Sequence, residues 1–237
     1  MQRMTTNNDA VAVIFDMDGV LVDTYRPHFL SWREAAEHEG RSLTEAQFAP
    51  TFGRTGEESA AMFWEESQCG PEEVARILAY KETAFRRIME TDFPAMTGIR
   101  ELLHALHDAG FRLAVGSSGP SENVQLVVDL LGTRSLFGAV ISGDDVSHGK
   151  PDPEVFLLAA GRLGASPARC AVIEDSPVGI AAANAAGMMP IGLMSTGRTP
   201  ENFAAAEMFV RSLDELTPGL LRAKIEQRAR RRAGTPQ

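Results

Sequence analysis

Lysine is the scarcest charged residue in this chain. Of 23 basic side chains, 20 are arginine and only three are lysine: Lys81, Lys150 and Lys224. A compact ammonium and a planar guanidinium are not interchangeable at a tight site, so a lysine kept against this bias marks a place to inspect. Cysteine is almost as rare. Cys69 and Cys170 stand far apart, which excludes a disulfide framework and any metal-type cysteine spacing. Cys170 opens an apolar run and reads as a buried thiol. Positive charge is in deficit, with a formal net charge of -9, and nucleic-acid phosphates require the opposite sign. No window offers about 18 uninterrupted apolar residues, so no membrane span is expected. The polar start Met1–Asn8 lacks the apolar core of an export signal. These absences point to a soluble, reduced, cytoplasmic protein. Its oligomeric state stays open, with a monomer as the simplest expectation.

What is present begins with Ala10-Val11-Ala12-Val13-Ile14-Phe15, an apolar, β-branched run that reads as a buried parallel strand. It stops at Asp16, and Asp18-Gly19 follows. Residues two apart on extended backbone share a side, so Asp16 and Asp18 are expected to converge. Two carboxylates at the end of a buried strand repel and lose hydration, and a divalent cation, a shared proton or a basic side chain must compensate. Asp-Gly is also ordinary turn chemistry, and this stretch alone leaves the two readings open.

From about Thr24 to Phe93 the pattern is helical. One helix carries Phe29, Trp32 and Ala36. Ser42-Leu43-Thr44-Glu45 is a capping-box pattern that starts another, and a third follows Gly56. A fourth opens on Pro71-Glu72-Glu73, with Val74, Ile77, Leu78, Phe85 and Ile88 as its apolar stripe. Lys81 falls within that stripe, where a lysine can also snorkel to solvent. From Pro94 onward strands and helices alternate. Strands are expected at Phe111–Gly116, Ala139–Ser142, Ala171–Ile173, Pro190–Met194 and Met208–Val210. Alternation of this kind predicts a parallel sheet covered by helices on both faces. The fold class is therefore α/β, a Rossmann-like three-layer core with an inserted α-helical cap domain. The expected divisions are a tail at 1–8, a core at 9–23 and 94–226, the cap at 24–93 and a polar tail at 227–237. Arg228-Ala229-Arg230-Arg231-Arg232 reads as a solvated helix end, where cations suit the negative terminus.

The strand ends collect chemistry. Beside Asp16 and Asp18 stand Ser117-Ser118-Gly119, then Gly149-Lys150-Pro151, then Glu174-Asp175. Carboxylates at adjacent strand ends make a hard oxygen site that suits Mg2+ better than zinc. A hydroxyl and the backbone N–H groups after Gly116 can hold phosphate oxygens. Lys150 can neutralise the acids.

The four stretches Asp16-Met17-Asp18-Gly19-Val20-Leu21-Val22-Asp23, Val115-Gly116-Ser117-Ser118-Gly119, Gly149-Lys150-Pro151-Asp152-Pro153 and Ile173-Glu174-Asp175-Ser176-Pro177-Val178-Gly179-Ile180 resemble, in order, the four motifs of the haloacid dehalogenase superfamily. The resemblance spans about residues 10 to 215 and is closest to the β-phosphoglucomutase-like and small-molecule phosphatase branch. It implies Asp16 as nucleophile and Asp18 as general acid and then base. It also implies Mg2+ on Asp16, the carbonyl of Asp18 and Asp175, with Glu174 in the outer shell. Ser117 and the N–H of Ser118 would bind phosphate, Lys150 would pair with Asp16, and Asp23 would brace the loop. In the cap, His28 and Lys81 match substrate positions of the branch, and Arg54 is a weaker candidate. The implied activity is a Mg2+-dependent phosphatase of a small phosphorylated metabolite, expected to be a sugar phosphate, through an aspartyl-phosphate. A phosphosugar mutase is the alternative. Against it, Gly56 stands near the arginine expected of a mutase, and Pro120-Ser121 replace its core groups. A non-enzymatic binding protein ranks third, because every catalytic position is filled.

Overall fold

The computed structural model describes residues 10–64, 70–196 and 198–233. The N-terminal tail, Cys69 and the last residues of the polar C-terminal tail lie outside them. By contact density the chain falls into two compact units, Met1–Asp23 with Ala95–Gln237, and Thr24–Pro94.

The first unit opens on β1 (Ala12–Phe15). After it come, among the described residues, four α-helices of the second unit: α1 (Tyr25–His38), α2 (Glu45–Phe48), α3 (Gly56–Phe63) and α4 (Pro71–Thr91). The first unit resumes with α5 (Ile99–Asp108), β2 (Arg112–Gly116), α6 (Ser121–Leu131), β3 (Phe137–Ile141) and α7 (Glu154–Leu163). It ends with β4 (Cys170–Glu174), α8 (Pro177–Ala185), β5 (Met189–Leu193), β6 (Met208–Val210) and α9 (Pro218–Ala233).

The six strands are all parallel, in the order β3-β2-β1-β4-β5-β6. All four residues of β1 are buried, which is why its sequence is apolar without alternation. Ala12 and Ile14 join Ala114, Cys170 and Val172 on one face, closed by Phe156 and Ala160 of α7 and Ala182 and Ala183 of α8. Cys170 is a buried free thiol, and burial pushes its pKa up to about 12. The strand order reverses direction at β1, between β2 and β4. Open α/β sheets bind ligands at such a point, outside the carboxyl ends of the strands.

The second unit has its own aromatic core. Trp32, Phe48, Trp64 and Ile77 are buried together, with Tyr25, Phe29 and Phe52 packed against them. The helix start expected at Ser42 falls two residues later. Thr44 caps α2, and its N–H donates to the Gln47 side chain at 2.9 Å. Leu43 explains the shift: it is buried just ahead of the cap, and a cap at Ser42 would draw it into the first turn. The arginine run expected at a helix end lies in the last turns of α9, which continues to Ala233. Its arginines do more than face water. Arg228 donates to the Met188 carbonyl at 2.7 Å and pairs with Glu207, and Arg232 donates to the Gly187 carbonyl at 2.7 Å. No helix among the described residues is long and apolar enough to cross a membrane.

Candidate active site

Sheet register brings the acids together. Phe15 pairs with Ile173 of β4 and with Val115 of β2, so the next residue on each strand comes level with the others: Asp16, Glu174 and Gly116. The Asp16 N–H donates to the Ile173 carbonyl at 3.0 Å, which anchors the nucleophile candidate as the strand ends. Carboxylate oxygens of Asp16, Glu174 and Asp175 lie within 4.8 Å of one another, and all three residues are buried. Asp18 stands outside this triad and is only partly buried. The Met17 carbonyl accepts from Leu21 N–H at 2.9 Å, and Gly19 turns through φ 72°, so the chain turns directly after Asp18. The charge of Asp18 acts on Asp16 and adds to the rise of its pKa.

Lys150 reaches the cluster from the loop ahead of α7. Its Nζ donates to Asp16 Oδ1 at 2.9 Å and to Glu174 Oε1 at 2.7 Å, with its side chain 5% exposed. The other oxygen of Glu174 accepts from the N–H of Ser176 at 2.7 Å and its hydroxyl at 2.9 Å. Both oxygens of Glu174 are thus engaged by the protein, which suits a bracing role. Gly179 makes room for this carboxylate: a methyl there would stand 1.7 Å from Oε1. Gly179→Ala is expected to cost at least about 2 kcal/mol of stability through overpacking, with Lys150 displaced along with Glu174. Thermal unfolding of the variant checks this, and an unchanged melting temperature would refute it.

Asp175 has different partners. Its Oδ2 accepts from the Ser195 hydroxyl at 2.8 Å and from Arg198 Nε at 3.1 Å. A side chain at Gly19 would strike the same oxygen at 2.3 Å, so this close approach needs glycine as much as the positive φ does. Next in the same loop, the Thr196 hydroxyl donates to Asp23 at 2.7 Å, the bracing contact expected of that acid. Ser195 and Arg198 escaped the sequence reading. Their signal was the polar run Ser195-Thr196-Gly197-Arg198 just past a strand end, the position that flagged the other site residues.

Burial is the largest influence on the carboxyls of Asp16 and Asp175. It holds Asp16 well above the usual carboxylate range against the pull of Lys150, with Glu174, Asp18 and Asp175 adding to the rise. It pushes Asp175 up to about 6, helped by Glu174 and opposed by Arg198. Lys150 is held above its ordinary value, since Asp16 and Glu174 outweigh its own desolvation. Three clustered acids, with Asp18 nearby, exceed the charge of Lys150 and Arg198. An all-oxygen, over-anionic donor set of this kind fits a hard divalent cation.

The haloacid dehalogenase-like hydrolase family model matches residues 11–187. The chain belongs to that family. It is 32% identical over 222 residues to the β-phosphoglucomutase of Bacillus subtilis (strain 168), covering 91% of this chain and 96% of that one. It is 36% identical over 182 residues to the fructose-1-phosphate phosphatase YqaB of Escherichia coli (strain K12), covering 74% and 92%. Among solved structures it resembles CbbY from Rhodobacter sphaeroides in complex with xylulose 1,5-bisphosphate. The TM-score there is 0.79 at 28% identity, covering 87% of this chain and 96% of that one.

In this haloacid dehalogenase-like hydrolase, the loop after β2 supplies the phosphate-binding candidates. Ser117 is buried, and its oxygen accepts the Gly119 N–H at 3.0 Å, a bond that does not use its own O–H. Ser118 is exposed. The first N–H of α6, at Ser121, donates to the Asp144 carboxylate at 2.8 Å, so an acid already sits at that helix start.

Within the second unit, Lys81 does not snorkel to solvent but is buried, 4% exposed. Its Nζ lies 3.1 Å from His28 Nδ1 and donates to Glu82 at 2.8 Å, and it sits over the Trp32 and Phe85 rings at 5.7 and 5.3 Å. An ammonium can only donate, so Nδ1 of His28 is the acceptor in this contact. The His28 ring also stacks on Phe85 at 4.4 Å. Arg54 stands apart from this group: it is exposed, and its Nε donates to the Pro50 carbonyl at 3.2 Å.

Proposed function

We propose that this protein is a Mg2+-dependent phosphatase of a small sugar phosphate, working through an aspartyl-phosphate on Asp16. The observation that carries the reading is Lys150 bridging Asp16 and Glu174 with Asp175 in the same cluster. Lys150 fixes the rotation of the Asp16 carboxylate through Oδ1. Asp16 attacks phosphorus, a P–O bond to its carboxylate forms, and the ester P–O bond breaks. Asp18, outside the triad and partly solvated, gives its proton to the departing sugar oxygen. It then takes a proton from water, which attacks the acyl phosphate, releases inorganic phosphate and restores Asp16. The Ser117 hydroxyl and the N–H of Ser118 hold phosphate oxygens through both steps. A Mg2+ ion held by Asp16, Asp175 and the Asp18 carbonyl, with Glu174 behind them, would screen the acids from the phosphate and stabilise the charge on the transferring group.

Two observations favour hydrolysis over mutation of a phosphosugar. The start of α6 carries the Asp144 carboxylate, which repels a second phosphate, and Gly56 offers no side chain to grip one. The 32% identity to a β-phosphoglucomutase keeps the mutase as the second reading. Incubation with β-glucose 1-phosphate and a bisphosphate activator separates them. Free phosphate supports the phosphatase, and glucose 6-phosphate without free phosphate decides for the mutase. Across a panel of phosphorylated sugars, phosphate release is expected only with Mg2+ present. The Mg2+ concentration needed should rise as pH falls below about 6, because protons then compete for Asp175. Robust turnover after EDTA treatment would sink the reading.

Lys81 and His28 are the residues proposed to select the sugar, with Arg54 contributing less. Lys81→Met is expected to lower the ratio of kcat/KM for the best sugar phosphate over acetyl phosphate by about tenfold, the scale of one lost charged contact. A ratio unchanged in this variant and in His28→Ala would remove both from the substrate site.

A further inference from the structure

The two cations at the acid cluster are held in different ways. Lys150 is wedged between Asp16 and Glu174, and its Nζ lies 4.7 Å from the centre of the Phe156 ring. Arg198 comes from the loop beyond β5, its side chain is 12% exposed, and its Nε donates to Asp175 Oδ2 at 3.1 Å. The same oxygen also accepts from Ser195 Oγ at 2.8 Å. Asp175 would therefore keep its orientation, and Oδ2 a hydrogen-bond donor, if the guanidinium withdrew. A buried acid with no cationic partner is costly, so Arg198 has a role whenever no divalent cation is bound. Once such a cation arrives, the nearby guanidinium becomes a repelling charge.

We propose that Arg198 is the resident counterion of the cation site: it neutralises Asp175 when no divalent cation is bound, competes with that cation, and so weakens and tunes metal binding. The same exchange keeps the metal-free protein folded. Binding and stability are linked through one equilibrium, because whatever stabilises only the metal-free form must lower the apparent affinity for metal.

The inference rests on reading the triad as a divalent-cation site, so the wild type is measured first. Chelator-treated, dialysed full-length protein is titrated with MgCl2 and with MnCl2 by calorimetry, and melted with and without each salt. A wild type that binds neither ion overturns the cation reading and this inference with it. Given binding, Arg198→Gln is expected to hold Mg2+ on the order of tenfold more tightly, the scale of one partly screened charge. Its metal-free melting temperature should fall, and at saturating Mg2+ the two proteins should converge. Arg198→Lys keeps the charge and should stay within about threefold of wild-type affinity. Equal or weaker Mg2+ binding by Arg198→Gln overturns the inference while leaving the cation reading intact. Equal tightening by Ser195→Ala, which removes a hydrogen bond but no charge, also overturns it. So does an Arg198→Gln protein that fails to fold even in saturating Mg2+, since Arg198 would then be a structural residue that metal cannot displace.

Discussion

Asp16→Asn is expected to lower kcat for phosphate release by at least about a thousandfold while leaving the protein folded, because the change removes the nucleophile and keeps its shape. The two halves of this expectation have separate physical origins. An amide oxygen cannot form the acyl phosphate, so the covalent route closes however well the substrate is held. Stability responds to a different feature. Burial, with the neighbouring acids adding, holds the Asp16 carboxyl above the ordinary carboxylate range. A group whose pKa is raised by folding binds its proton more tightly in the folded state. Its ionised form therefore costs stability at every pH above the unfolded value. A neutral isostere removes that cost, so the metal-free variant at pH 7 should melt no lower than wild type despite losing one partner of Lys150. Acid-quenched wild type incubated with labelled substrate should carry hydroxylamine-sensitive phosphate, and the variant none. Turnover within tenfold of wild type, or equal labelling of the variant, would eliminate the aspartyl-phosphate route.

The core was more legible in the sequence than the loops that serve it. A strand buried on both faces must be apolar without alternation, and Ala12–Phe15 shows that pattern. Parallel strands joined by crossover helices end on one side of the sheet, so polar residues just past successive strands could be gathered into one cluster before any coordinates. Lys150 stood out because lysine is so rare here, and it lies on two of those acids. Asp18 lies outside the buried triad, a distinction that the spacing of Asp16 and Asp18 did not carry. Ser195 and Arg198 are separated from Asp175 by about twenty residues and a whole β-strand. Only the register of β5 against β4 brings their loop to that carboxylate. The burial of Lys81 was invisible for another reason. Snorkelling and burial leave the same mark in an apolar stripe, and the aromatic rings that enclose the ammonium come from both α1 and α4.

Lys150→Met should produce the largest loss of stability of any single change at the site. The lysine is the shared partner of Asp16 and Glu174, at 2.9 and 2.7 Å, and the Glu174 side chain is 0% exposed. Removing one member of a buried ionic network leaves the rest uncompensated, which typically costs about 3–5 kcal/mol. For a chain of this length that corresponds to a fall in melting temperature on the order of 10 °C. The loss should depend on pH in a defined direction. Without the ammonium, Asp16 and Glu174 repel, and the folded state favours a proton on the pair at pH values where the unfolded chain has released it. The stability of the variant must then decline as pH rises from about 4 towards neutrality, so its deficit against wild type is smaller at pH 5 than at pH 8. Melting both proteins in EDTA at the two values tests this, and a deficit that does not change with pH would mean that Lys150 acts by packing against Phe156. Lys150→Arg separates charge from shape. It should recover much of the melting temperature, because the cation is restored. Its kcat should stay at least about tenfold low, because a wider planar group cannot hold Asp16 in the same rotation. Wild-type turnover by Lys150→Arg would mean that lysine at this position, in a chain that otherwise prefers arginine, has no catalytic consequence.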